Sequence, residues 1–449
     1  MRAPRRLRLS RISPPILTAA ICTVASVMAS ALTLAGSAEA AWSAPQKIAT
    51  KQAFERPDLA RDANGDAALV WHFEDDEEGP GTLNPVVPIE ASTRIAGREW
   101  SAPQVLEPCC RTSLALAIDS RGSATVAWER FLGSRATVET LTHPLGASWS
   151  GASRISPGPA NGYEPQLTFT APGDELLGYT TVFESPFARG LRIERRVPRA
   201  GWRALPLAAD VSGMAGDELR LAVARDGETI VAVSDHEEHR VQLVMLDRNG
   251  HPEGPIQSFA SGGRGYATEL DLVADRRGDA ALVWRDTSAR QRPVFIVTRR
   301  PGGRFAAPLR IAGGIGMEPV VAIDGAGRAS VIFANQTGRN ERPLEISRQS
   351  AGRRWSKPRA LVQGGRFIAA QLGATQSGLL IAVWSDESAR SIEAATTTPS
   401  GSWQAPTLLS AAGGGEPGLP ILASLAIAGD GATAAWAVPG GFETSDYTP

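Results

Sequence analysis

The stretch LARDANGDAALVW, from Leu59 to Trp71, decides the fold because related copies recur seven more times along the chain. Each copy starts with an apolar residue and has a glycine six positions later. The eight pairs of apolar residue and glycine are Leu59/Gly65, Leu116/Gly122, Leu167/Gly173, Leu221/Gly227, Leu272/Gly278, Val321/Gly327, Leu372/Gly378 and Leu425/Gly431. Successive copies start 49 to 57 residues apart, which is a period typical of propeller blades. Each copy predicts an apolar strand, a tight turn closed by a glycine at positive φ, and a second apolar strand.

A second motif, W-x-x-P, recurs with the same period and is intact at Trp42, Trp100, Trp355 and Trp403. All 11 tryptophans of the chain occupy either this position or the end of the second strand of a copy. A tryptophan at a fixed position of a repeat is typical of packing between neighbouring sheets. We therefore interpret these residues as core rather than as a platform for a ligand.

Each period divides into four short strands, A to D, with strand D beginning at the W-x-x-P motif. Strands A and B occur eight times, and so does strand D, because Trp42–Ile48 precedes the first strand A. The last copy is followed only by Phe442–Pro449, which serves as its strand C. The sequence predicts an all-β fold, a single β-propeller of eight four-stranded blades over residues 41–449, in which the N-terminal strand completes the last blade. A ring of seven blades with one irregular repeat is the alternative.

Residues 1–40 have the pattern of a secretory signal peptide. Five arginines precede or open an apolar run from Ile16 to Leu34, and Ala38-Glu39-Ala40 supplies small residues at both cleavage-site positions. We expect cleavage near Ala40 and a secreted protein, extracellular or periplasmic. The chain would contact a membrane only through this segment, if it stays uncleaved, because no other apolar run has the length of a span.

The charge of the mature chain argues against one class of partner. Removing five arginines and Glu39 changes the net charge from −1 to about −5, and the sequence shows no concentrated basic face. Binding to nucleic acid requires such a face. We expect no nucleic-acid partner, and we expect a monomer.

Glutamates occupy one repeat position in four consecutive copies, three residues before the leading apolar residue. The eight residues at this position are Arg56, Ser113, Glu164, Glu218, Glu269, Glu318, Ala369 and Leu422. Because the position starts the innermost strand, we expect the four carboxylates along one arc of the channel mouth, with Arg56 further round the ring. They could bind a hard cation such as calcium, or raise each other's pKa for acid–base chemistry. A structural role, in which each glutamate hydrogen-bonds the neighbouring blade, is favoured because repeats also copy structural residues.

Cys109 and Cys110 are the only cysteines that remain after removal of the signal segment. Export exposes them to oxidising conditions, so a vicinal disulfide is one candidate, although Cα atoms about 3.8 Å apart would strain it. Free thiols and an intermolecular disulfide fit the sequence equally well.

The segment from Asp235 to His239 places two histidines beside acidic residues. Its spacing differs from that of known zinc motifs, so we predict no metal there.

The turns between strands C and D resemble a known motif. They have the sequences STRIAGREW (Ser92–Trp100), SRQSAGRRW (Ser347–Trp355) and TTPSGSW (Thr397–Trp403). These are similar to the S-x-D-x-G-x-x-W Asp-boxes of sialidases and related propellers, without the aspartate, and Phe54 to Asp75 is similar to the first strand pair of sialidases. More closely, the chain resembles secreted bacterial proteins built from AxDxxGxAxAVW and GGxWSxP repeats, for which the resemblance implies no established activity.

The sialidase resemblance implies a propeller and, as an alternative function, glycoside hydrolysis. A sialidase-like site needs three arginines around the substrate carboxylate, a tyrosine–glutamate pair and an acid, and only Arg56 falls on a matching motif position. Because a fold alone supplies no activity, the sequence favours a non-catalytic propeller that binds an extracellular surface polymer, glycan or protein through its loop face. No catalytic residue and no cofactor other than calcium is expected. The predicted binding residues are Arg56, Glu164, Glu218, Glu269 and Glu318.

Overall fold

The computed structural model describes residues 41–49, 56–72, 88–108, 113–132, 135–156, 158, 161–170, 174–184, 187–197, 201–214, 216–224, 227–261, 265–287, 292–312, 315–336, 338, 341–410 and 423–449. These residues form 33 strands and one four-residue helix, so the prediction of an all-β fold is confirmed. Within these ranges, no helix has the length and apolar character needed to cross a membrane.

The strands are numbered in chain order, and β1 (Ala41–Trp42) and β2 (Gln46–Ala49) precede the first repeat. Blade 1 contains β3 (Asp58–Arg61), β4 (Ala67–His72), β5 (Ile89–Arg94) and β6 (Gln104–Glu107), and blade 2 contains β7 (Leu114–Ile118), β8 (Ala124–Leu132), β9 (Arg135–His143) and β10 (Ser153–Arg154). Blade 3 contains β11 (Asn161–Phe169), β12 (Glu175–Glu184), β13 (Phe187–Val197) and β14 (Gly201–Ala204), and is followed by the helix α1 (Ala209–Ser212). Blade 4 contains β15 (Glu218–Val223), β16 (Thr229–Asp235), β17 (Arg240–Leu246) and β18 (Gln257–Ala260). Blade 5 contains β19 (Ala267–Ala274), β20 (Ala280–Asp286), β21 (Val294–Arg299) and β22 (Leu309–Arg310), and blade 6 contains β23 (Ile315–Ile323), β24 (Ala329–Gln336), β25 (Leu344–Arg348) and β26 (Arg359–Val362). Blade 7 contains β27 (Phe367–Ala374), β28 (Leu380–Asp386), β29 (Ser391–Thr396) and β30 (Thr407–Leu408). Blade 8 contains β31 (Ala423–Ala428), β32 (Gly431–Val438) and β33 (Gly441–Thr448).

Each of blades 1 to 7 is an antiparallel sheet whose strands follow one another in chain order from the innermost strand A to the outermost strand D, and in blade 8 the N-terminal strands β1 and β2 lie outside β33. The innermost strand of every blade contacts the innermost strands of both neighbours, and β31 of blade 8 lies beside β3 of blade 1. The blades therefore form a closed ring. The prediction of eight blades is confirmed, and the seven-bladed alternative is wrong.

An aspartate and a glycine shape the turn between strands A and B. In blade 1 the Asp62 carboxylate accepts hydrogen bonds from the backbone N–H groups of Asn64, Gly65 and Asp66, each at 2.9 Å. Gly65 has a φ of +97°, a conformation that a side chain would strain. The same arrangement recurs in blades 2, 5 and 6. In blade 8 the sequence prediction that Gly431 closes the turn between strands A and B is wrong. The glycine at positive φ is Gly429, and the turn is shorter because Ala428 pairs with Gly431.

The tryptophans that end strand B lie at the centre of the interfaces between blades. Five of them are at most 1% exposed: Trp71, Trp128, Trp284, Trp384 and Trp436. The W-x-x-P tryptophans are partly buried at the edges of the same clusters, as Trp100 is beside Trp71. Truncating a buried tryptophan costs about 3–5 kcal/mol, so these side chains stabilise the stacking of the sheets. The interpretation of the tryptophans as core is confirmed.

The first and last strands of the ring pair with each other. Strands β1 and β2 both lie along β33, with Trp42 opposite Tyr447 and Ile48 opposite Phe442. The Trp42 and Tyr447 rings are 5.6 Å apart, and Ile48 is buried. The N-terminal strand is therefore strand D of blade 8, and the predicted closure of the ring is confirmed.

An ion-pair network also joins blade 8 to blade 1. The Asp446 carboxylate accepts hydrogen bonds from both terminal nitrogens of Arg94, at 2.5 and 2.7 Å, and lies 3.4 Å from Arg61 Nη1. Burial opposes ionisation of Asp446, but the hydrogen bonds from Arg94 and Thr433 and the two guanidinium charges hold its pKa below the usual value. The junction thus combines strand pairing with a charged contact.

We expect that deletion of residues 41–49 exposes the outer edge of β33 and removes the packing of Trp42 and Ile48. The loss should be about 5 kcal/mol or more in unfolding free energy, measured by denaturant unfolding, with association of the exposed edges as a second outcome seen by light scattering. Lys47→Ala, a change of an exposed side chain in the same strand, is the control and should unfold like the parent. A deletion variant that is monomeric and as stable as the parent would contradict the closure.

Candidate functional site

The two ends of the ring differ in the kind of segment that they carry. The hairpins between strands B and C and the connections from strand D to the next strand A lie at one end, here called the loop face. The turns between A and B and between C and D lie at the other end, called the turn face. Each innermost strand begins at the loop face, so the first residues of strands A surround the mouth of the central channel on that side.

Four of the innermost strands contain a β-bulge next to this mouth. The register shifts in β11, β19, β23 and β27. The bulged residues have left-handed backbones, with φ values of 53° at Glu164, 57° at Glu269, 48° at Glu318 and 51° at Ala369. A residue other than glycine pays about 1–2 kcal/mol for this conformation, so each bulge needs an external contact to hold it.

The preceding blade supplies that contact in the form of a carboxylate. Glu218 accepts hydrogen bonds from the N–H groups of Glu269, at 2.9 Å, and Leu270, at 3.0 Å. Glu269 in turn accepts from the N–H of Glu318 at 2.7 Å, and Glu318 accepts from the N–H of Ala369. Each bond joins residues one repeat apart. Three of the four predicted glutamates therefore form a chain of carboxylate-to-backbone hydrogen bonds across blades 4 to 7.

Glu164 occupies the same repeat position but belongs to a separate contact. Its N–H donates to Glu129 Oε1 at 2.5 Å, and its own carboxylate accepts from the Ser113 hydroxyl at 3.4 Å. Burial raises the pKa of Glu129 to about 7, against the favourable effect of the Glu164 N–H. Burial also raises the pKa of Glu164. The sequence position of Glu129, near the end of strand B, carries no repeated signal, so sequence reasoning misses its role in this contact.

A cavity of about 410 Å³ lies at the loop-face end of the channel. Its charged lining residues are Arg56, Arg220, Glu269, Asp271 and Glu318. Blade 1, which carries Arg56, is opposite blade 5 in a ring of eight, yet Arg56 lines the same cavity as Glu269 of blade 5. Arg56 thus belongs to a blade further round the ring, and the channel is narrow enough for residues of opposite blades to line one cavity.

The charges in this cavity are mixed rather than purely acidic. Burial raises the pKa of Asp271, although the Val321 N–H at 2.7 Å and the charges of Arg220 and Arg56 oppose the shift. Burial likewise raises the pKa of Glu269, which forms an ion pair with Arg285. Arg220 donates to the Leu270 carbonyl oxygen at 2.8 Å. Arg56, in contrast, is exposed and makes no hydrogen bond or salt bridge with any described residue.

Other sequence-based candidates are less well defined by the structure. Cys109, Cys110 and Leu422 lie outside the described residues, as does the whole of the predicted signal segment. The His236 ring lies 3.3 Å from Asp217 and 3.0 Å from the Ala267 carbonyl oxygen. Among the described residues, no group of three or more His, Cys, Asp or Glu side chains has the geometry to hold a metal ion. Binding of calcium by the channel glutamates stays a prediction.

We expect the double change Glu218→Gln and Glu269→Gln to destabilise the protein by about 2–4 kcal/mol, because the amide N–H₂ at position 218 faces a backbone N–H and the uncharged amide at position 269 no longer pairs with Arg285. Thermal unfolding with and without millimolar calcium measures the effect, and the loss should be the same in both buffers. Glu237→Gln, on an exposed side chain of the loop face, is the control. If calcium stabilises the parent and the double variant has lost only that gain, the carboxylates bind calcium instead.

The pKa of Glu129 predicts a pH dependence of stability. In the folded protein it is about 7, above the ordinary value of 4.5, so the folded state binds a proton that the unfolded chain releases. Stability is therefore lost as the pH rises from about 4.5 through about 7, by up to about 3 kcal/mol. Denaturant unfolding at pH 5.5 and pH 8 should show this loss, and Glu129→Gln should reduce it. An unchanged pH dependence in the variant would contradict the assignment.

Known proteins resemble this chain in fold only. No protein-family model matches the sequence, and no curated protein matches it significantly. A protein of unknown function from Dyadobacter fermentans matches over 90% of this chain and 98% of its own, at 14% identity and a TM-score of 0.39. A sialidase of Streptococcus pneumoniae matches over 76% of this chain and 66% of its own, at 12% identity and a TM-score of 0.41. An α-L-arabinanase of Penicillium chrysogenum matches over 75% of this chain and 93% of its own, at 11% identity and a TM-score of 0.39. The chain is thus similar to propellers that include a sialidase, and this similarity assigns no activity.

Proposed function

We propose that the protein is a secreted, monomeric and non-catalytic propeller that binds an extracellular polymer or protein at its loop face. One observation carries the proposal. The channel carboxylates are hydrogen-bonded to backbone N–H groups of the next blade, while the exposed Arg56 guanidinium lines the cavity at the channel mouth. Export depends on the signal segment, residues 1–40. The repeated channel glutamates thus already hold backbone N–H groups of the fold, whereas Arg56, which is not repeated, is exposed to solvent.

The geometry argues against hydrolysis by these carboxylates. A glycosidase uses one carboxyl group as an acid and a second one as a base or nucleophile. Here Glu269 and Glu318 each accept an N–H bond that holds a left-handed residue of the next blade. Engaging a substrate would release that residue and strain the channel wall. None of the described residues that line the cavity is a tyrosine.

The cavity suits one terminal group of a larger ligand. Its volume of about 410 Å³ lies near the lower end of the range for small-molecule sites, roughly 300–1,000 Å³. A guanidinium presents a planar set of donors that fits an acceptor or an anionic group of the ligand. Asp271 and Gln371 line the same cavity and supply further polar contacts. We infer that a single sugar ring or side chain enters the channel mouth while the rest of the ligand stays on the loop face.

We expect purified protein to bind members of a combined glycan and protein array, and Arg56→Ala to weaken that binding about tenfold, the loss typical of an important interface arginine. Arg354→Ala removes an exposed arginine of the turn face and is the matched control. The parent should release no fluorophore from a fluorogenic sialoside. Turnover that disappears in Arg56→Ala would establish the sialidase-like alternative and overturn the proposed function.

A further inference from the structure

Large apolar side chains exposed on this protein divide sharply by chemical type. Among the described residues the exposed aromatic ones are Phe131, at 42%, Phe183, at 37%, and Tyr266, at 41%. All three lie at the loop face, on the hairpins between strands B and C of blades 2 and 3 and on the connection that enters blade 5. The exposed aliphatic residues lie elsewhere, on outermost strands or in a turn of the turn face: Val105, Leu145, Leu309 and Leu408. Within the part of the chain that the structure describes, aromatic exposure is thus confined to one sector of one face, and Phe131, Phe183 and Tyr266 are called the aromatic arc below.

Two members of the arc are accompanied by a second ring. The rings of Phe131 and Tyr163 are 6.5 Å apart at an angle of 51°. The rings of Tyr266 and His236 are 4.1 Å apart at an angle of 33°. In both pairs one ring belongs to a hairpin and the other to the start of the next blade. Phe183 lies on blade 3, between the two pairs in ring order.

The backbone beneath each ring of the arc is hydrogen-bonded. Phe131 pairs with Ala136, and Phe183 with Ala188, within regular antiparallel ladders. The Tyr266 N–H donates to the Thr287 hydroxyl at 3.0 Å, and the Thr287 N–H donates to the Tyr266 carbonyl oxygen at 3.0 Å. Since this backbone is already ordered, a ligand that stacks on the rings does not have to order a loop, which favours binding.

Hydrogen-bonding side chains lie beside the Tyr266–His236 pair. Asp217 lies 3.3 Å from the His236 ring and 3.4 Å from Arg189. Arg130 precedes Phe131 in β8, so its side chain leaves the opposite face of the strand, where it lies 3.0 Å from Glu107 and 3.2 Å from Glu139. The Tyr266–His236 pair therefore lies next to a carboxylate and a guanidinium group rather than within a continuous apolar patch.

We propose that the aromatic arc binds a neutral oligosaccharide whose pyranose rings stack on Phe131, Phe183 and Tyr266. A pyranose presents a flat face of C–H groups with partial positive charge, and the face of an aromatic ring is negative, so the two surfaces attract. Hydroxyl groups around the sugar edge match the Asp217 carboxylate and the Arg189 guanidinium beside the Tyr266–His236 pair. A protein partner would instead favour a continuous apolar core with a polar rim. This inference rests on the proposed binding function of the loop face and specifies its ligand.

Isothermal titration calorimetry of the purified protein with hexaoses of β-1,4-linked glucose, β-1,4-linked xylose and β-1,3-linked glucose tests the proposal. We expect at least one hexaose to bind and its monosaccharide to bind far more weakly, because several rings must be occupied together. Phe183→Ala and Tyr266→Ala should each weaken binding about fivefold, a loss typical of one aromatic contact. Tyr266→Phe should bind like the parent, because the ring is kept.

Two further variants separate stacking from general apolar contact. Phe183→Leu keeps an apolar side chain but removes the aromatic face, so it should lose as much affinity as Phe183→Ala. Val105→Ala and Leu408→Ala remove exposed aliphatic side chains from outermost strands and should bind like the parent. Equal thermal stability of all variants shows that folding is unaffected.

The possible failures are distinguishable. If the parent binds none of the hexaoses, or if Phe183→Leu binds a hexaose as well as the parent does, the stacking proposal is overturned. If a protein of the array binds and depends on Arg56 but not on the arc, the sugar proposal is overturned and the binding function stands. If no ligand of any class binds at the loop face, both are overturned.

Discussion

The inner edge of each blade has no partner strand, and the whole ring depends on how this edge is satisfied. Backbone N–H groups at such an edge need an acceptor, because a buried unpaired group costs about 1–3 kcal/mol. For blades 3, 5, 6 and 7 the preceding blade provides a carboxylate acceptor, as when Asp271 accepts from the Val321 N–H and Glu269 accepts from the Glu318 N–H. Since each bond joins one repeat to the next, it also fixes the spacing of the blades around the channel. Burial of the tryptophans stacks the sheets, and these carboxylates set their inner register.

Much of this architecture follows from local sequence patterns. Glycine marks the turns because few other residues tolerate positive φ, and a count of the repeated strands is enough to assign the N-terminal segment to the last blade. The bulges could not be predicted in the same way. Glu164, Glu269 and Glu318 adopt left-handed backbones without glycine, so the usual sequence signal is missing. Their conformation is stabilised by a carboxylate about 35 to 51 residues earlier, which no local pattern reveals.

The candidate site was predictable only in its repeated part. Glutamates recur at one position and are evident in the sequence, but their recurrence reflects the shared backbone contact at least as much as any chemistry. Arg220, Asp271 and Gln371 share another position, one residue before the leading apolar residue, where the eight copies differ in type and give no signal. The meeting of Arg56 with blade 5 depends on the width of the channel, which is set only by closure of the ring.

A repeated residue and a singular one therefore carry different information in this fold. A residue that recurs must serve something that every blade needs, such as a turn, a packed interface or an edge contact. A ligand, in contrast, meets the ring at one place and breaks its symmetry. Two singular features of the described residues, the exposed Arg56 and the exposed aromatic rings of blades 2, 3 and 5, lie at the loop face, whereas the turn face keeps the repeated Asp-x-x-Gly turns. Their position on one face is the physical reason for placing recognition there.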